Sequence, residues 1–190
     1  EKLSDSNVRY QMVTFLIAGH ETTSGLLSFT IYELLKNRRV LAKARAEVTE
    51  ILGSRVPRYE DISKFDYLDQ ILRESLRLWP TAPGFAVHPK GDQEIIGGSD
   101  ANSKKCEVLR NDILLILATA LHRDPSVWEK PDEFIPERMS DENFRKLPHH
   151  AWKPFGNGQR SCIGRAFALQ EATLVLAMLL QRFEFELVDP

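Results

Sequence analysis

The chain has 190 residues, 43% of them hydrophobic and 27% charged, an ordinary globular composition and long enough for one sizeable core. A formal net charge of −2 gives no electrostatic reason to expect nucleic acid or an anionic membrane surface as partner. Two cysteines exclude a disulfide framework, and no apolar run reaches the ~18 residues that a membrane-spanning helix needs.

The apolar spacing of Met12, Phe15, Leu16, Leu26, Leu27, Ile31, Leu34 and Leu35 predicts a long helix from about Asn7 to Lys36. Its middle, Ala18-Gly19-His20-Glu21-Thr22-Thr23-Ser24-Gly25, holds two glycines and three hydroxyl residues. Each interior glycine costs about 1 kcal/mol against alanine, so a local distortion or a close approach to something bulky is expected there. A second helix is expected over Arg39–Leu52, with Val40, Ala44, Val48 and Ile51 on one face, Asn37 as N-cap and Gly53 as stop. A third is expected over Tyr67–Leu78, capped by Asp66 and ended by Pro80, with Leu68, Ile71, Leu72, Ser75 and Trp79 as its stripe. Glu74 and Arg77, three apart, share one side of it.

Short strands are predicted at Phe85–His88, Ile95–Ile96, Cys106–Leu109 and Ile113–Leu117. A proline-spaced loop then runs from Arg123 to Pro154, longer than a simple connector. The last helix, about Ile163 to Arg182, is apolar on nearly every side and reads as a core helix. Phe183, Phe185 and Leu187 alternate with Glu184 and Glu186, a strand pattern. The fold class is mainly α with a minor β-sheet.

The segment Phe155-Gly156-Asn157-Gly158-Gln159-Arg160-Ser161-Cys162-Ile163-Gly164 opens that last helix. A cysteine at a positive helix end favours the thiolate. Gly158 and Gly164 permit a tight turn, and backbone N–H groups there can point at the sulfur. Arg160 suits an anionic group. A lone cysteine would read as a small buried residue; three glycines, an aromatic and an arginine at these spacings argue for a ligand instead.

With these residues in hand, the chain resembles the cytochrome P-450 superfamily. The matching pieces follow the family's order: Ala18-Gly19-x-Glu21-Thr22, Glu74-x-x-Arg77, Pro136-Glu137-Arg138 and Phe155–Gly164. The last is highly specific, whereas Glu-x-x-Arg alone would mean nothing. The wording is most similar to the self-sufficient fatty-acid hydroxylases of bacteria and fungi, in which a diflavin reductase follows the heme domain. The resemblance implies the C-terminal part of the cytochrome P-450 fold. Residues 1–190 would then form a partial heme domain, from the long distal helix through the cysteine loop and the core helix. The N-terminal half and the final strands would lie outside the chain, which begins with Glu1.

The resemblance also implies roles. Cys162 would be the axial thiolate of heme b, with Phe155 packed by the sulfur, Arg160 on a propionate, and Gly158 and Gly164 shaping the loop. Ala18 would leave room on the distal side, and Thr22 and Glu21 would deliver protons to bound oxygen. Glu74, Arg77 and Arg138 would form a buried ion cluster, and Ala82, in the turn after the third helix, would touch substrate. Met139 stands where the family has an aromatic, and a packing adjustment is expected. The five histidines lack metal-ligand spacing and read as structural or surface residues. Cys106, in the long polar stretch Ser99–Arg110, reads as a bystander.

The implied activity is insertion of one atom of O2 into a C–H bond of a lipophilic substrate, a fatty acid by the closest wording. Electrons would come from NADPH through a reductase carrying FMN and FAD, fused or separate, and no nucleic acid is involved. A cytoplasmic location is expected, since at least one cysteine is free, with an N-terminal membrane anchor left open. The alternatives are a peroxygenase or isomerase on the same scaffold, a non-catalytic heme protein, and a fragment inactive by itself. The Glu21-Thr22 pair argues against the first two.

Overall fold

In the computed structural model, which describes residues 3–97 and 104–188, the chain opens on one helix, α1, Asp5–Lys36. Ser4 caps it by accepting a hydrogen bond from the Asn7 N–H at 3.3 Å. The expected distortion does not occur, and α1 runs unbroken through both glycines. Its hydroxyls stay within the helical pattern. Thr14, Thr22, Ser28 and Thr30 each donate to the carbonyl one turn back, so they are satisfied without leaving the helix. The close approach is real: a Cβ on Gly25 would lie 3.1 Å from Thr81 Cγ2. The two halves of α1 differ. Leu26, Leu34 and Leu35 are buried, whereas Met12, Phe15 and Leu16 are exposed.

α2, Arg38–Leu52, buries Val40, Leu41, Ala44, Val48 and Leu52 and stops at Gly53, whose φ of 55° suits glycine. Asn37 holds the expected N-cap position of α2, and its carbonyl accepts the Leu41 N–H at 3.0 Å, but its side chain makes no capping bond there. Its amide donates to the Glu33 carbonyl at 2.8 Å, closing α1 instead. A 3-10 turn, Tyr59–Lys64, leads to α3, Asp66–Leu78. Asp66 lies inside α3 and is not its cap. The carboxylate of Glu47, on α2, accepts the N–H groups of Tyr67 at 2.6 Å and Leu68 at 3.0 Å. A residue twenty positions upstream thus does the capping, which local pattern could not reveal. α3 is buried beyond its predicted stripe, with Glu74, Leu76, Arg77 and Leu78 also inside.

The minor β-structure is two separate antiparallel pairs. β1, Gly84–Val87, pairs with β4, Leu114–Leu117. Gly84 is required there, since a Cβ would meet the Ile116 carbonyl oxygen at 2.6 Å. β2, Gln93–Gly97, pairs with β3, Lys104–Val108, in the register Ile95 to Cys106. Residues 98–103, which include the start of the polar stretch Ser99–Arg110, lie outside the described residues.

A short helix, α4, Ala118–Leu121, precedes the long loop, which has structure of its own: a 3-10 turn at Pro136–Met139 and α5, Asp141–Lys146. Trp128, Met139 and Ala151 form a small second core beneath it, so Met139 fills a packed site. α6, Arg165–Arg182, packs on α1, α2 and α3 and buries Ala172, Leu176, Ala177 and Leu180 in the main core. It is a core helix only over its C-terminal part. Phe167 is 67% exposed and the preceding Ile163 87%. The strand predicted at Phe183–Leu187 is absent, because no ladder partner reaches it among the described residues. Phe185 and Leu187 pack against the core, and Arg45 Nη2 donates to the Phe183 carbonyl at 2.8 Å.

Candidate functional site

Cys162 sits between a one-turn 3-10 segment, Gly158–Arg160, and the start of α6. Its N–H donates to the Phe155 carbonyl at 2.8 Å, which closes the loop upon itself. Two glycines make the loop possible: Gly156 has φ 70° and Gly158 φ 65°. Gly156 is one of the segment's three glycines, and its positive φ shows that it makes the turn together with Gly158. A Cβ on Gly164 would come 3.8 Å from Cys162 Sγ, an ordinary van der Waals contact, so the glycine leaves that side of the sulfur open. The thiol is free and exposed. Among the described residues no N–H group hydrogen-bonds Sγ, so the expected tuning contacts are not formed. Phe155 is half-buried and meets Trp152 edge-on at 6.1 Å, and Arg165 lies over both rings. Arg160 is exposed.

Glu74, Arg77 and Arg138 come together at the side of α3 away from solvent. Glu74 and Arg77 side chains are 0% exposed and share two hydrogen bonds, Nε to Oε2 at 2.8 Å and Nη2 to Oε1 at 2.9 Å. Arg77 Nη1 donates to the carbonyls of His122 (2.9 Å) and Pro131 (2.6 Å), and Nη2 to that of Glu133 (3.0 Å). All five guanidinium protons are therefore placed. Glu74 Oε1 also accepts the Ile135 N–H at 3.0 Å and lies 3.1 Å from Arg138 Nε, an ion pair without the angle of a hydrogen bond. Arg138 donates to the Glu129 and Lys130 carbonyls, and burial holds its pKa below the ordinary arginine value. The cluster therefore knits the loop 122–138 onto α3.

His122 belongs to the same knot, which sequence reasoning missed. It is fully buried. Its Nε2 accepts the Lys153 N–H at 2.8 Å, so Nδ1 carries the proton and donates to the Arg77 carbonyl at 3.1 Å. Burial, assisted by the nearby Arg77 and Arg123 charges, pushes its pKa down to about 4. No local spacing marks it, because its partners are 31 and 45 residues away.

On α1, Ala18, Glu21 and Thr22 are exposed. Thr22 Oγ1 donates to the Ala18 carbonyl at 2.6 Å, which leaves its oxygen lone pairs free to accept. Ser24 donates to the Glu21 carbonyl at 3.1 Å. Ala82 is exposed in the turn after α3, and the Ala118 N–H donates to the Pro83 carbonyl at 2.8 Å, tying that turn to α4. A cleft of about 410 Å3 between α3, α6 and the 59–64 turn is lined by Tyr59, Asp69, Gln170 and Thr173, and holds none of these residues. Among the described residues no group of three or more His, Cys, Asp or Glu gathers to hold a metal ion, and no helix is long and apolar enough to cross a membrane.

A family model described as Cytochrome P-450 matches residues 1–190. A bifunctional cytochrome P-450/NADPH–P-450 reductase of Bacillus cereus is 55% identical over 185 residues, 97% of this chain and 17% of its own length. A similarly named protein of Bacillus subtilis is 53% identical over 184 residues, 96% of this chain and 16% of its own. A self-sufficient cytochrome P-450 monooxygenase of Aspergillus niger is 51% identical over 191 aligned positions, 100% of this chain and 18% of its own. The chain thus spans less than a fifth of the length of these relatives.

Proposed function

The chain belongs to the cytochrome P-450 family, and on that premise we propose that it is part of the heme domain of a monooxygenase, with Cys162 as the protein's ligand to iron. The observation that carries this is the exposed Cys162 thiol on a glycine loop, flanked by bare apolar side chains at Ile163 and Phe167. One thiol with apolar neighbours and an exposed cation, Arg160, fits a flat apolar macrocycle that brings its own four nitrogens and acidic edges. A site built from protein ligands alone would need several. When bound, the heme would supply activation of O2 and insertion of one oxygen atom into a C–H bond, with the other leaving as water.

The chain's own residues prepare that chemistry. Gly156 and Gly158 let the loop turn back so that Cys162 projects, and the Cys162 N–H bond to Phe155 fixes its height. Phe155, held by Trp152 and Arg165, would pack by the sulfur once the heme is bound. Thr22, its proton committed to Ala18, is set to accept a hydrogen bond from a water, and Glu21 beside it would exchange that proton with solvent. Glu74, Arg77 and Arg138 hold the loop ahead of the cysteine segment, a structural role. Ala82 would face a lipophilic substrate. The proposed substrate is a fatty acid, supported by the likeness of the segments to fatty-acid hydroxylases. The proposed electron source is an NADPH-dependent reductase with FMN and FAD, fused or separate, supported by the bifunctional and self-sufficient names of the relatives. The proposed location is cytoplasmic.

Cys162→Ala and Cys162→His in the full-length protein test this. Each should abolish monooxygenation and remove the red-shifted Soret band of reduced, CO-bound thiolate heme. Survival of that band in the alanine variant would refute the ligand assignment.

A further inference from the structure

Gly25, Phe29 and Glu33 are spaced four apart on one face of α1, and each touches the segment that leaves α3. Gly25 gives Thr81 its room: a Cβ there would stand 3.1 Å from Thr81 Cγ2. The Phe29 ring stacks on Trp79 with centroids 5.0 Å apart and an interplanar angle of 5°. Glu33 Oε1 accepts the Trp79 indole N–H at 2.8 Å, and Oε2 accepts the Asn37 amide at 3.3 Å. Glu33 is only 7% exposed, and these two hydrogen-bond partners are neutral. A buried carboxyl group so placed is an expensive way to gain stability, since an apolar side chain of like volume would fill the space at less cost. What it adds is direction: it fixes the plane of one indole.

That indole begins the turn that holds Ala82. The turn is gripped at its start by Glu33 through Trp79, and at its end by the Ala118 N–H on the Pro83 carbonyl. Ala82 lies between the two grips. One turn before Gly25, on the same face of α1, stands Glu21 of the proposed proton-delivery pair. A shift of the turn along this face would therefore move Ala82 relative to Glu21.

We propose that Glu33 is a positioning residue: by hydrogen-bonding Trp79 it sets the place of the Thr81–Gly84 turn against α1, and so where a bound chain-like substrate presents its C–H bonds. This rests on the monooxygenase reading above. The test uses the full-length holoenzyme with dodecanoic acid as probe and the variants Glu33→Leu, Glu33→Gln, Trp79→Phe and the Glu33→Leu/Trp79→Phe pair. Trp79→Phe removes the donor together with the pyrrole part of the indole, Glu33→Leu removes the acceptor alone, and Glu33→Gln keeps an acceptor for the intact indole.

Glu33→Leu and Trp79→Phe should each raise the KM, and the Kd read from the substrate-induced Soret shift, by about three- to tenfold, the range of one ordinary hydrogen bond. Both should change the distribution of hydroxylated carbons, while kcat moves by less than about twofold. Glu33→Gln should resemble the wild type, and the double variant should be no worse than the worse single one. Wild-type KM, Kd and product distribution in both single variants would overturn the inference alone. So would additive effects, a Glu33→Gln protein that behaves like Glu33→Leu, or loss of the CO-bound thiolate band in these variants. A wild-type protein without that band would overturn the heme-thiolate reading and this role with it. One with the band that neither binds nor oxidises dodecanoic acid would overturn the fatty-acid reading and this role together.

Discussion

Thr22 and His122 show how a side chain's hydrogen bonds decide what it can do. The Thr22 hydroxyl proton goes to the Ala18 carbonyl, so the side chain offers an acceptor at a fixed point on α1. Thr22→Ala removes that point without opening the helix. It should keep heme but lower the ratio of product formed to NADPH oxidised by about tenfold or more, with peroxide in place of product. Thr22→Ser, which can make the same back-bond, should stay close to the wild type. An unchanged ratio in the alanine variant would remove the relay role. His122 is a case of linkage. Its folded pKa of about 4 lies below the ordinary 6.5, so folding favours the neutral ring. Its contribution is complete above pH 6.5 and is lost as pH falls toward 4, the window in which the unfolded chain binds a proton and the folded one does not. Wild type should therefore lose about 2–3 kcal/mol of its advantage over His122→Asn between pH 7 and pH 4.5 in urea unfolding. A gap that does not change with pH would show that the ring is not held neutral.

Elements of this chain are closed by residues from other elements. α3 begins without a side-chain cap of its own, and Glu47 of α2 reaches the free N–H groups of Tyr67 and Leu68 in its first turn. Burial raises the Glu47 pKa, and the two backbone bonds oppose that rise, so the carboxylate is kept in place by the helix end it serves. Glu47→Ala should cost about 1–2 kcal/mol of stability, and Glu47→Gln, with one acceptor left, about half of that. Urea midpoints would measure both, and a Glu47→Ala midpoint equal to wild type would mean that water caps α3 as well. The same principle explains why α1 and α6 each have one buried and one bare end. Apolar spacing marks a face as able to pack, and only a neighbour makes it buried.

At the scale of the whole molecule, the bare ends matter most. Leu16 is 73% exposed, and Phe15 and Ile17 beside it are also open, as are Ile163 and Phe167 at the head of α6. Contiguous apolar surface of this kind drives association in water unless something covers it. Residues 1–190 expressed alone should therefore be poorly soluble and bind hemin weakly, since a macrocycle on this surface would stay half in water. Hemin titration, with unfolding followed by two probes, would check this. A cooperative transition with a stable thiolate-type spectrum would show that these residues are an autonomous heme-binding unit.

Much of this protein follows from short stretches of sequence. The helices α1, α2, α3 and α6 are written in apolar spacing and in their stops, and the four strands in short segments between turn residues. The cysteine loop is legible because its glycines, aromatic and arginine act within ten residues of one another. Other features rest on contacts that no local window contains. The cap on α3 comes from Glu47, the placement of all five Arg77 protons needs three carbonyls more than forty residues downstream, and the grip of Glu33 on Trp79 spans 46 positions. The strand pattern at Phe183–Leu187 fails for the converse reason. Alternation permits pairing, but a ladder needs a second edge, and among the described residues none lies beside it. Hydrogen-bonding capacity is a property of the residue and is read from sequence, whereas the partner that uses it is chosen by the packing of distant segments.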